Sequence, residues 1–227
     1  MFSIKTYNDS YKVDWNNFVD ISKNSTFLFK REFMDYHAEK FEDFSLLIFY
    51  NSELIALFPC NIRDGEAYSH EGLSYGGVIV KTEIKFLKYL ELFTYLLNYF
   101  DEKSIKTLYI KQIPSIYNSN FNGELDYLSF VTDAKIYRRD IISVIDMQNK
   151  SKISKDRIQG YKRGKKNKLE IKETDDLDKF WNSILIPTLS NRHKVNPVHS
   201  LDDIKKLKRV FNNNIKQFNV YHEGQIV

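Results

Sequence analysis

The sequence predicts an α/β fold, in which a mixed sheet with helices on its faces occurs in tandem and the second copy is incomplete. Three observations predict it. A strand, two helices and further strands follow one another twice along the 227 residues, β-rich segments alternate with helix-periodic ones, and the second repetition stops partway. Internal repetition of this kind constrains a fold more than any single residue does.

The first copy predicts the element order β-α-α-β-β-β-α-β-α-β. Its clearest helix is Ile84–Phe100, where apolar side chains recur at three-to-four spacing. Turn residues at Asn51-Ser52-Glu53 and Asp64-Gly65 separate β-rich runs. The other predicted helices are Trp15–Ser22, Phe27–Lys40 and Leu125–Val131, and the predicted strands are Phe2–Tyr7, Phe44–Tyr50, Leu54–Arg63, Tyr68–Val80, Ile105–Ile110 and Ile141–Met147.

The second copy repeats the beginning of this order. Asp175 is the predicted N-cap of its first helix, and Pro187 should kink that helix. Ser200 and Asp203 are spaced like a capping box for its second helix. The predicted elements are the strand Leu169–Thr174, the helices Asp176–Arg192 and Leu201–Phe211, and the strand Ile215–His222.

This pattern divides the chain into a first unit (1–148), a basic linker helix (149–168) and the start of a second unit (169–227). The sequence ends where the next strand of the second copy should begin. We therefore expect an unpaired strand after Tyr221, whose open edge invites dimerisation or poor solubility.

Composition indicates an ordinary globular protein. Apolar residues make up 42% and charged residues 28% of the chain. No apolar run approaches the roughly 18 residues of a membrane span, and no signal-peptide pattern is visible. The lone Cys60 excludes an internal disulfide. A cytoplasmic location is the simplest expectation.

Positive charge is concentrated in Lys150–Lys172. This stretch contains ten Lys or Arg and two acidic residues, so it carries +8 while the rest of the chain carries −4. Such a run is either a solvated face or a site for the phosphates of a nucleotide-linked substrate or of RNA. Arg157, Lys162 and Arg163 are its candidate phosphate ligands.

The stretch Tyr68–Gly77 is the most unusual polar segment. Its three glycines allow a bulged strand whose backbone approaches a ligand. It is either a bulge with a satisfied histidine or a strand that lines the substrate. The candidate substrate-binding residues here are Ser69, His70, Tyr75, Gly76 and Gly77.

Two further sets of residues carry weaker signals. Arg192, next to the kinked helix, could anchor an anion, although the C-terminus of a helix favours cations in any case. The histidines and Cys60 show no metal-ligand spacing, so we expect no metal. No catalytic residue is predicted.

The order of elements resembles the acyltransferase fold of the GNAT superfamily. In that fold a glycine-containing junction between a strand and a helix cradles the pyrophosphate of coenzyme A. The corresponding junction here, Val78–Glu83, has no glycine and contains an acidic residue. The first copy is therefore not expected to bind coenzyme A in the usual way.

Nearly the whole chain is similar to the FemABX-like acyltransferases, which resemble two GNAT-like units joined by a basic helix and a following strand. The most distinctive matching segment is Ser154–Lys172. The other matching segments are Asn24–Leu28, Gly72–Gly77 and Arg192–Pro197. No long coiled-coil insertion is present.

This resemblance implies transfer of an acyl or aminoacyl group to an amine of a cell-envelope or polysaccharide precursor. The implied donor is an acyl-coenzyme A or an aminoacyl-tRNA, and the implied partner is a phosphorylated or nucleotide-linked small molecule. By resemblance, Lys30, Arg31, Arg157 and Arg163 would bind substrate phosphates. The second unit of family members continues beyond the strand reached here, so this chain could be inactive.

Two other functions remain open. The chain could be a non-catalytic binding module for a phosphorylated glycan precursor or RNA, or an inert remnant. Turnover requires a strand-to-helix junction with small residues in the second unit, which this sequence does not show. A binding module would not need that junction.

Overall fold

The computed structural model describes residues 1–227, apart from the side chain of His37. The chain forms two compact units, Met1–Lys135 and Ile136–Val227. Both combine helices with strands, so the predicted mixed α/β class is confirmed. The expectation that the two units are copies of one fold stays a prediction.

The first unit contains eight strands and four α-helices. Its strands are β1 (Phe2–Thr6), β2 (Glu42–Asp43), β3 (Leu46–Tyr50), β4 (Glu53–Phe58), β5 (Asn61–Arg63), β6 (Glu66–Tyr68), β7 (Ile79–Val80) and β8 (Leu108–Tyr109). Its helices are α1 (Lys12–Ile21), α2 (Arg31–Met34), α3 (Phe86–Glu102) and α4 (Glu124–Val131). Short 3₁₀ turns occur at Asp9–Tyr11, Phe27–Phe29, Asp35–Lys40 and Ser115–Tyr117.

These strands form two sheets. The first has the order β1-β3-β4-β7 and is antiparallel throughout. The second has the order β2-β5-β6-β8, and its β6–β8 pair is parallel. The chain passes from the first sheet to the second after β4 and returns to the first at β7.

Apolar side chains cover both faces of the first sheet. Leu46, Ile48 and Phe58 point to one face, where they pack with α3. Leu47 and Leu57 alternate with them and pack on Trp15 of α1. Successive side chains point to opposite faces and both faces are buried, so nearly every residue of β3 and β4 is apolar.

Three predicted elements of this unit are broken in the structure. The predicted strand Leu54–Arg63 divides into β4 and β5, and Tyr68–Val80 is largely a loop between β6 and β7. The predicted helix Phe27–Lys40 consists of two 3₁₀ turns and α2. Its break is fixed by Trp15, whose indole N–H donates to the Phe29 carbonyl over 2.7 Å, so that carbonyl bonds outside the helix.

The second unit contains three strands and four α-helices. Its strands are β9 (Leu169–Glu173), β10 (Phe218–His222) and β11 (Gln225–Ile226), in the antiparallel order β11-β10-β9. Its helices are α5 (Lys155–Lys166), α6 (Leu177–Phe180), α7 (Ile186–Thr188) and α8 (Leu201–Val210). None of the helices described in either unit is long and apolar enough to cross a membrane.

Several expectations for the second unit need correction. β10 is paired on both sides, so the unpaired strand expected after Tyr221 is not found there. The edges of this sheet are β9 and β11, and the expected dimer stays a prediction. The predicted strand Ile141–Met147, expected as the last strand of the first copy, lies in the second compact unit and is not a strand: no described segment pairs with it, and Ile141 is 98% exposed. Pro187 lies in a helix that widens into π-helical turns at Trp181–Leu185 and Leu189–His193. A proline cannot donate the usual hydrogen bond, which accounts for the irregularity.

The predicted helix caps are partly confirmed. Ser200 and Asp203 form the complete capping box at the start of α8. Asp176 caps α6 in place of Asp175, because its carboxylate accepts from the Lys179 N–H. The prediction for the first helix was therefore wrong by one residue.

Gly76→Ala tests the close packing at the return to the first sheet. A Cβ at Gly76 would overlap the Ser69 carbonyl oxygen. We expect the substitution to lower the free energy of unfolding by about 3 kcal/mol or more, because backbone atoms cannot move aside cheaply. Urea denaturation measures this loss.

The matched control is Gly160→Ala, in the interior of α5, where an added Cβ meets nothing within 4 Å. There alanine should stabilise the helix by about 0.5–1 kcal/mol. Equal effects of the two substitutions would contradict the packing described for Gly76.

Candidate functional site

The candidate site of the first unit lies where two parallel segments separate. The Ser69 N–H donates to the Tyr109 carbonyl over 2.8 Å, which extends the β6–β8 pairing. The chain then leaves as a loop, and pairing resumes where the Gly76 N–H donates to the Lys111 carbonyl over 2.6 Å. Beyond this point one segment enters β7 in the other sheet. A gap therefore opens beside Gly76 and Gly77.

Side chains of the neighbouring strands hold the loop in place. Ser69 Oγ accepts from the Lys111 N–H over 2.8 Å, and the Lys111 ammonium donates to the carbonyls of Glu71 and Leu73. Asn61 exchanges two hydrogen bonds with Glu71, of 2.7 and 3.0 Å. The loop is thus a built feature of the fold.

Two of the predicted substrate-binding residues are structural parts of this loop. Ser69 is fully buried and His70 is 3% exposed. His70 has a φ of 64°, and its ring lies 5.5 Å from that of Phe41. This geometry favours the bulge with an enclosed histidine over direct substrate contact by these two side chains.

Tyr75 lies at the other end of the loop, among aromatic rings. Its hydroxyl is 2.9 Å from Thr26 Oγ1, and its ring lies 5.8 Å from Phe29 and 5.3 Å from Tyr117. Burial raises the pKa of Tyr75. Its phenol therefore stays neutral and acts through packing and hydrogen bonding.

A small cavity of about 40 Å³ occupies the gap between the separating segments. Gly76 and Gly77 form part of its wall, and their predicted role in lining a substrate stays a prediction. Gly77 has a φ of 108°, which L side chains rarely adopt. Asn24 closes one side with bonds of 2.8 and 2.9 Å to the backbone of Val78 and Val80.

Polar side chains from the 112–126 segment line the opposite wall. They are Gln112, Ser115, Asn118, Asn122 and Asp126. The Gln112 amide donates to Asp126 over 2.9 Å and orients that carboxylate. The Oδ1 atoms of Asn118 and Asn122 are buried and have no hydrogen-bond partner among the described residues. A buried polar atom without a partner costs free energy unless a ligand or water satisfies it.

Lys23 supports this wall from behind. It is 4% exposed, its ammonium pairs with Glu124, and its carbonyl accepts from both the N–H and the hydroxyl of Ser119. These contacts fix the loop that carries Asn118 and Asn122 against the core.

Arg31, predicted to bind phosphate, is enclosed in a cluster of its own. Its guanidinium lies 3.7 Å from the centre of the Tyr7 ring and pairs with Asp35 and, at 2.6 Å, with Asp43. Only 4% of its side chain is exposed. Burial raises the pKa of Asp35, against the attraction of Arg31. The geometry favours a structural role for Arg31.

Lys30 is also engaged within the first unit. Its ammonium donates to the Asn16 carbonyl over 2.9 Å and pairs with Asp20. Its side chain is 18% exposed. A phosphate would have to displace these partners, so its predicted role as a phosphate ligand is not favoured.

The cations predicted in the second unit have a different environment. Arg157, Lys162 and Arg163 lie on α5, and all three are exposed. Within the described part of the chain, no cation of α5 forms an ion pair. Lys165 lies 5.4 Å from the centre of the Tyr161 ring. The helix is therefore a surface of uncompensated positive charge.

Arg192 is exposed in the π-helical turn Leu189–His193 and makes no ion pair with a described residue. The turn ends at Lys194 in a left-handed conformation. Arg192 can therefore contact an anion from solvent, but it does not line a cavity described in the second unit.

Neither coenzyme A nor a metal finds a typical site in the described residues. The junction before α3 has no glycine, and its N-cap, Lys85, makes no side-chain capping bond. The residues of this junction do not fit a pyrophosphate cradle. No group of three or more His, Cys, Asp or Glu side chains among the described residues could hold a metal ion.

Comparison with known proteins gives weak similarities. No family model and no curated protein matches the chain. A ribosomal-protein-S18-alanine N-acetyltransferase from Escherichia coli aligns at 14% identity and a TM-score of 0.35, over 48% of this chain and 64% of that enzyme. An aminoglycoside 6′-N-acetyltransferase from Acinetobacter haemolyticus aligns at 14% identity and a TM-score of 0.36, over 67% of this chain and 99% of that enzyme. Neither likeness assigns an activity to this chain.

The polar wall of the cavity was missed by the sequence analysis. A signal was present, because asparagines alternate at 118, 120 and 122 before Gly123. Such a run reads as an ordinary turn. Which of its amides face inward depends on the loop's attachment to Lys23, and that attachment is a tertiary contact.

Arg31→Met tests the structural role of Arg31. Removal of the guanidinium leaves Asp35 and Asp43 without their counter-charge, so we expect a loss of about 3 kcal/mol in the free energy of unfolding. Urea denaturation provides the measurement. Arg63→Met is the control, since Arg63 pairs with Glu71 but is 56% exposed, and it should cost less than about 1 kcal/mol. Similar losses at both positions would argue against the enclosed cluster.

Tyr7→Phe tests the buried hydroxyl beside Arg31. The Tyr7 hydroxyl has no partner among the described residues, and burial raises the pKa of Tyr7 to about 12. The substitution keeps the ring contact, so stability at pH 7 should stay equal or rise by about 1 kcal/mol.

The raised pKa also fixes a pH dependence. The folded state favours the neutral phenol of Tyr7. The contribution of this preference to the free energy of unfolding is complete below pH 10 and is lost as the pH rises through about 12. Tyr7→Phe should therefore lose less stability than the native chain between pH 9 and 11. Urea denaturation at both pH values, with Tyr95→Phe as the control, measures this; equal losses would refute the assignment.

Proposed function

We propose that the chain belongs to an acyltransferase that moves an acyl or aminoacyl group to an amine of a phosphorylated cell-envelope or polysaccharide precursor. The sequence resemblance to FemABX-like enzymes supports the reaction class. The observation that carries the proposal is α5, an exposed basic helix directly followed by β9. This is the arrangement that the resemblance expects. The proposed location is the cytoplasm.

The face of α5 is suited to phosphate. At 3.6 residues per turn, Lys155, Lys162 and Lys166 lie within about 40° of one another around the helix. Gly160 and Gly164 lie on the opposite side, and a Cβ at Gly164 would be 3.7 Å from Leu169 of β9. Gly164 thus faces the unit's own strand, and the three lysines lie on the other side of the helix.

Uncompensated cations on one face attract phosphates and raise the rate of encounter with them. Both proposed donors, an acyl-coenzyme A and an aminoacyl-tRNA, carry phosphates, as does a nucleotide-linked acceptor. The helix supplies attraction and orientation and no chemical group for the reaction.

In the proposed reaction the amine nitrogen attacks the carbonyl carbon of the donor. A C–N bond forms, the C–S bond of a thioester or the C–O bond of an aminoacyl ester breaks, and the proton lost by nitrogen goes to the departing thiolate or alkoxide. Holding a neutral amine beside the carbonyl supplies much of the rate in such reactions, and no protein nucleophile is needed.

A second candidate function is favoured by the same helix. Binding of a phosphorylated glycan precursor or of RNA requires only the charged surface. Tyr161, whose ring centre lies 5.4 Å from the Lys165 ammonium, adds one aromatic ring against which a base or sugar could pack. A non-catalytic binding module would use these features without any transfer.

Charge reversal on α5 tests both functions. In Lys162→Glu/Lys166→Glu we expect the affinity for uridine diphosphate to fall by about tenfold, since two favourable charges become unfavourable. For a 20-nucleotide RNA, the slope of log Kd against log salt should fall by about two. Lys194→Glu/Lys206→Glu changes the net charge equally at exposed positions outside α5 and should leave both values near those of the native chain.

Mass spectrometry then separates the two functions. A uridine-diphosphate-linked amino sugar is incubated with the chain and either acetyl-coenzyme A or alanyl-tRNA. A product heavier by one acyl group, reduced in the α5 variant, supports the transferase. Binding without product from either donor supports the binding module, and equal effects of the two double variants would contradict both.

A further inference from the structure

Two buried amide oxygens beside the cavity of the first unit have no hydrogen-bond donor, and an exposed carboxylate lies next to them. Asn118 and Asn122 each present a buried Oδ1 without a partner among the described residues. Asp126 adds a carboxylate whose orientation is set by Gln112. The neighbouring Asn24 amide donates to the Val78 carbonyl and accepts from the Val80 N–H, and it makes no hydrogen bond to Asn118 or Asn122.

The number of acceptors indicates the donor. A primary ammonium group carries three N–H donors and no acceptor. Two amide oxygens and one carboxylate can receive these three hydrogens. About 40 Å³ is room for a head group of this size, since one water needs roughly 10–15 Å³ in the same measure.

Charge around the cavity also favours a cation. Asp126 brings one negative charge to the wall, and the buried Lys23 is already neutralised by Glu124. The first turn of α4 carries the positive end of the helix dipole, which opposes a cation. Glu124 and Asp126 lie in that turn and offset the dipole.

Other occupants satisfy the site less well. Ca²⁺ takes six to eight oxygen ligands and Mg²⁺ a nearly octahedral set. Three side-chain oxygens, of which one side chain is charged, would leave at least three positions of either ion to water, so a divalent ion is held less completely than an ammonium group. Water could bridge the two amides, but a water molecule has two donors and carries no charge for Asp126 to bind.

We propose that this cavity binds the primary ammonium group of a small molecule, held by Asn118, Asn122 and Asp126. Naming that molecule the acyl acceptor rests on the proposed function, whereas the binding itself does not. The site assigns the acceptor to the first unit, where the coenzyme A junction is unsuitable. It also supplies a donor for the two buried amide oxygens that have no internal partner.

Titration of the full chain with methylammonium chloride, followed by NMR of the backbone and side-chain amides, tests the site. Methylammonium should shift the side-chain amide signals of Asn118 and Asn122. Tetramethylammonium has the same charge but no N–H donor, and methanol has a donor but no charge. Both should bind at least about tenfold more weakly.

Asn122→Ala and Asp126→Asn should each weaken methylammonium binding by about ten- to a hundredfold, as expected for hydrogen bonds to a charged group. Asn120→Ala is the matched control, because Asn120 lies in the same segment but is exposed and does not line the cavity. Asn122→Ala should not lower the melting temperature, since it removes an unsatisfied buried oxygen.

Three results would overturn the proposal: equal binding of methylammonium and tetramethylammonium, unchanged affinity in Asn122→Ala and Asp126→Asn, or displacement of methylammonium by equimolar potassium. Binding of methylammonium as described, together with an absence of acyl transfer, would retain the ammonium site and reject the proposed function. Failure of the ammonium site can therefore be distinguished from failure of the proposed acyltransferase function.

Discussion

The backbone contact between Gly76 and Ser69 is the constraint on which the first unit depends. It lets the chain leave the parallel pairing with the Tyr109–Lys111 segment as a loop and rejoin it within a few residues. No side chain fits between the two backbones. Because the chain then continues into β7, this contact lies at one of the points where the chain crosses between the two sheets, and the cavity lies beside it.

Much of the fold follows from local pattern, and its exceptions have tertiary causes. The amphipathic period of α3 and the capping box of α8 are local signals, and both are found as predicted. The predicted helix Phe27–Lys40 is broken because the Phe29 carbonyl accepts a hydrogen bond from the Trp15 indole instead of from a helical N–H. Ile141–Met147 has the composition of a strand, but pairing requires a partner, and none is described for it. The spacing of apolar residues indicates the local preference for helix or strand, whereas strand pairing depends on segments that are distant in the sequence.

The candidate site divides in the same way. The basic helix could be predicted because exposed charge is a property of composition, and Gly76 and Gly77 because glycines mark close backbone approach. The roles of Arg31 and Lys30 depend on partners 4 to 14 residues away, which turn both cations inward. Asn118 and Asn122 become candidate ligands only because their amide oxygens are buried, and no local sequence pattern predicts that burial.

Hydrogen exchange with and without methylammonium, read by mass spectrometry, tests the central claim that the gap beside Gly76 is a ligand site. We expect methylammonium to slow exchange in peptides that contain Gly76–Val78 and Gln112–Asp126, with no change in α5, and we expect no change with tetramethylammonium. Equal exchange rates with and without methylammonium, or slower exchange confined to the second unit, would contradict a ligand site beside Gly76.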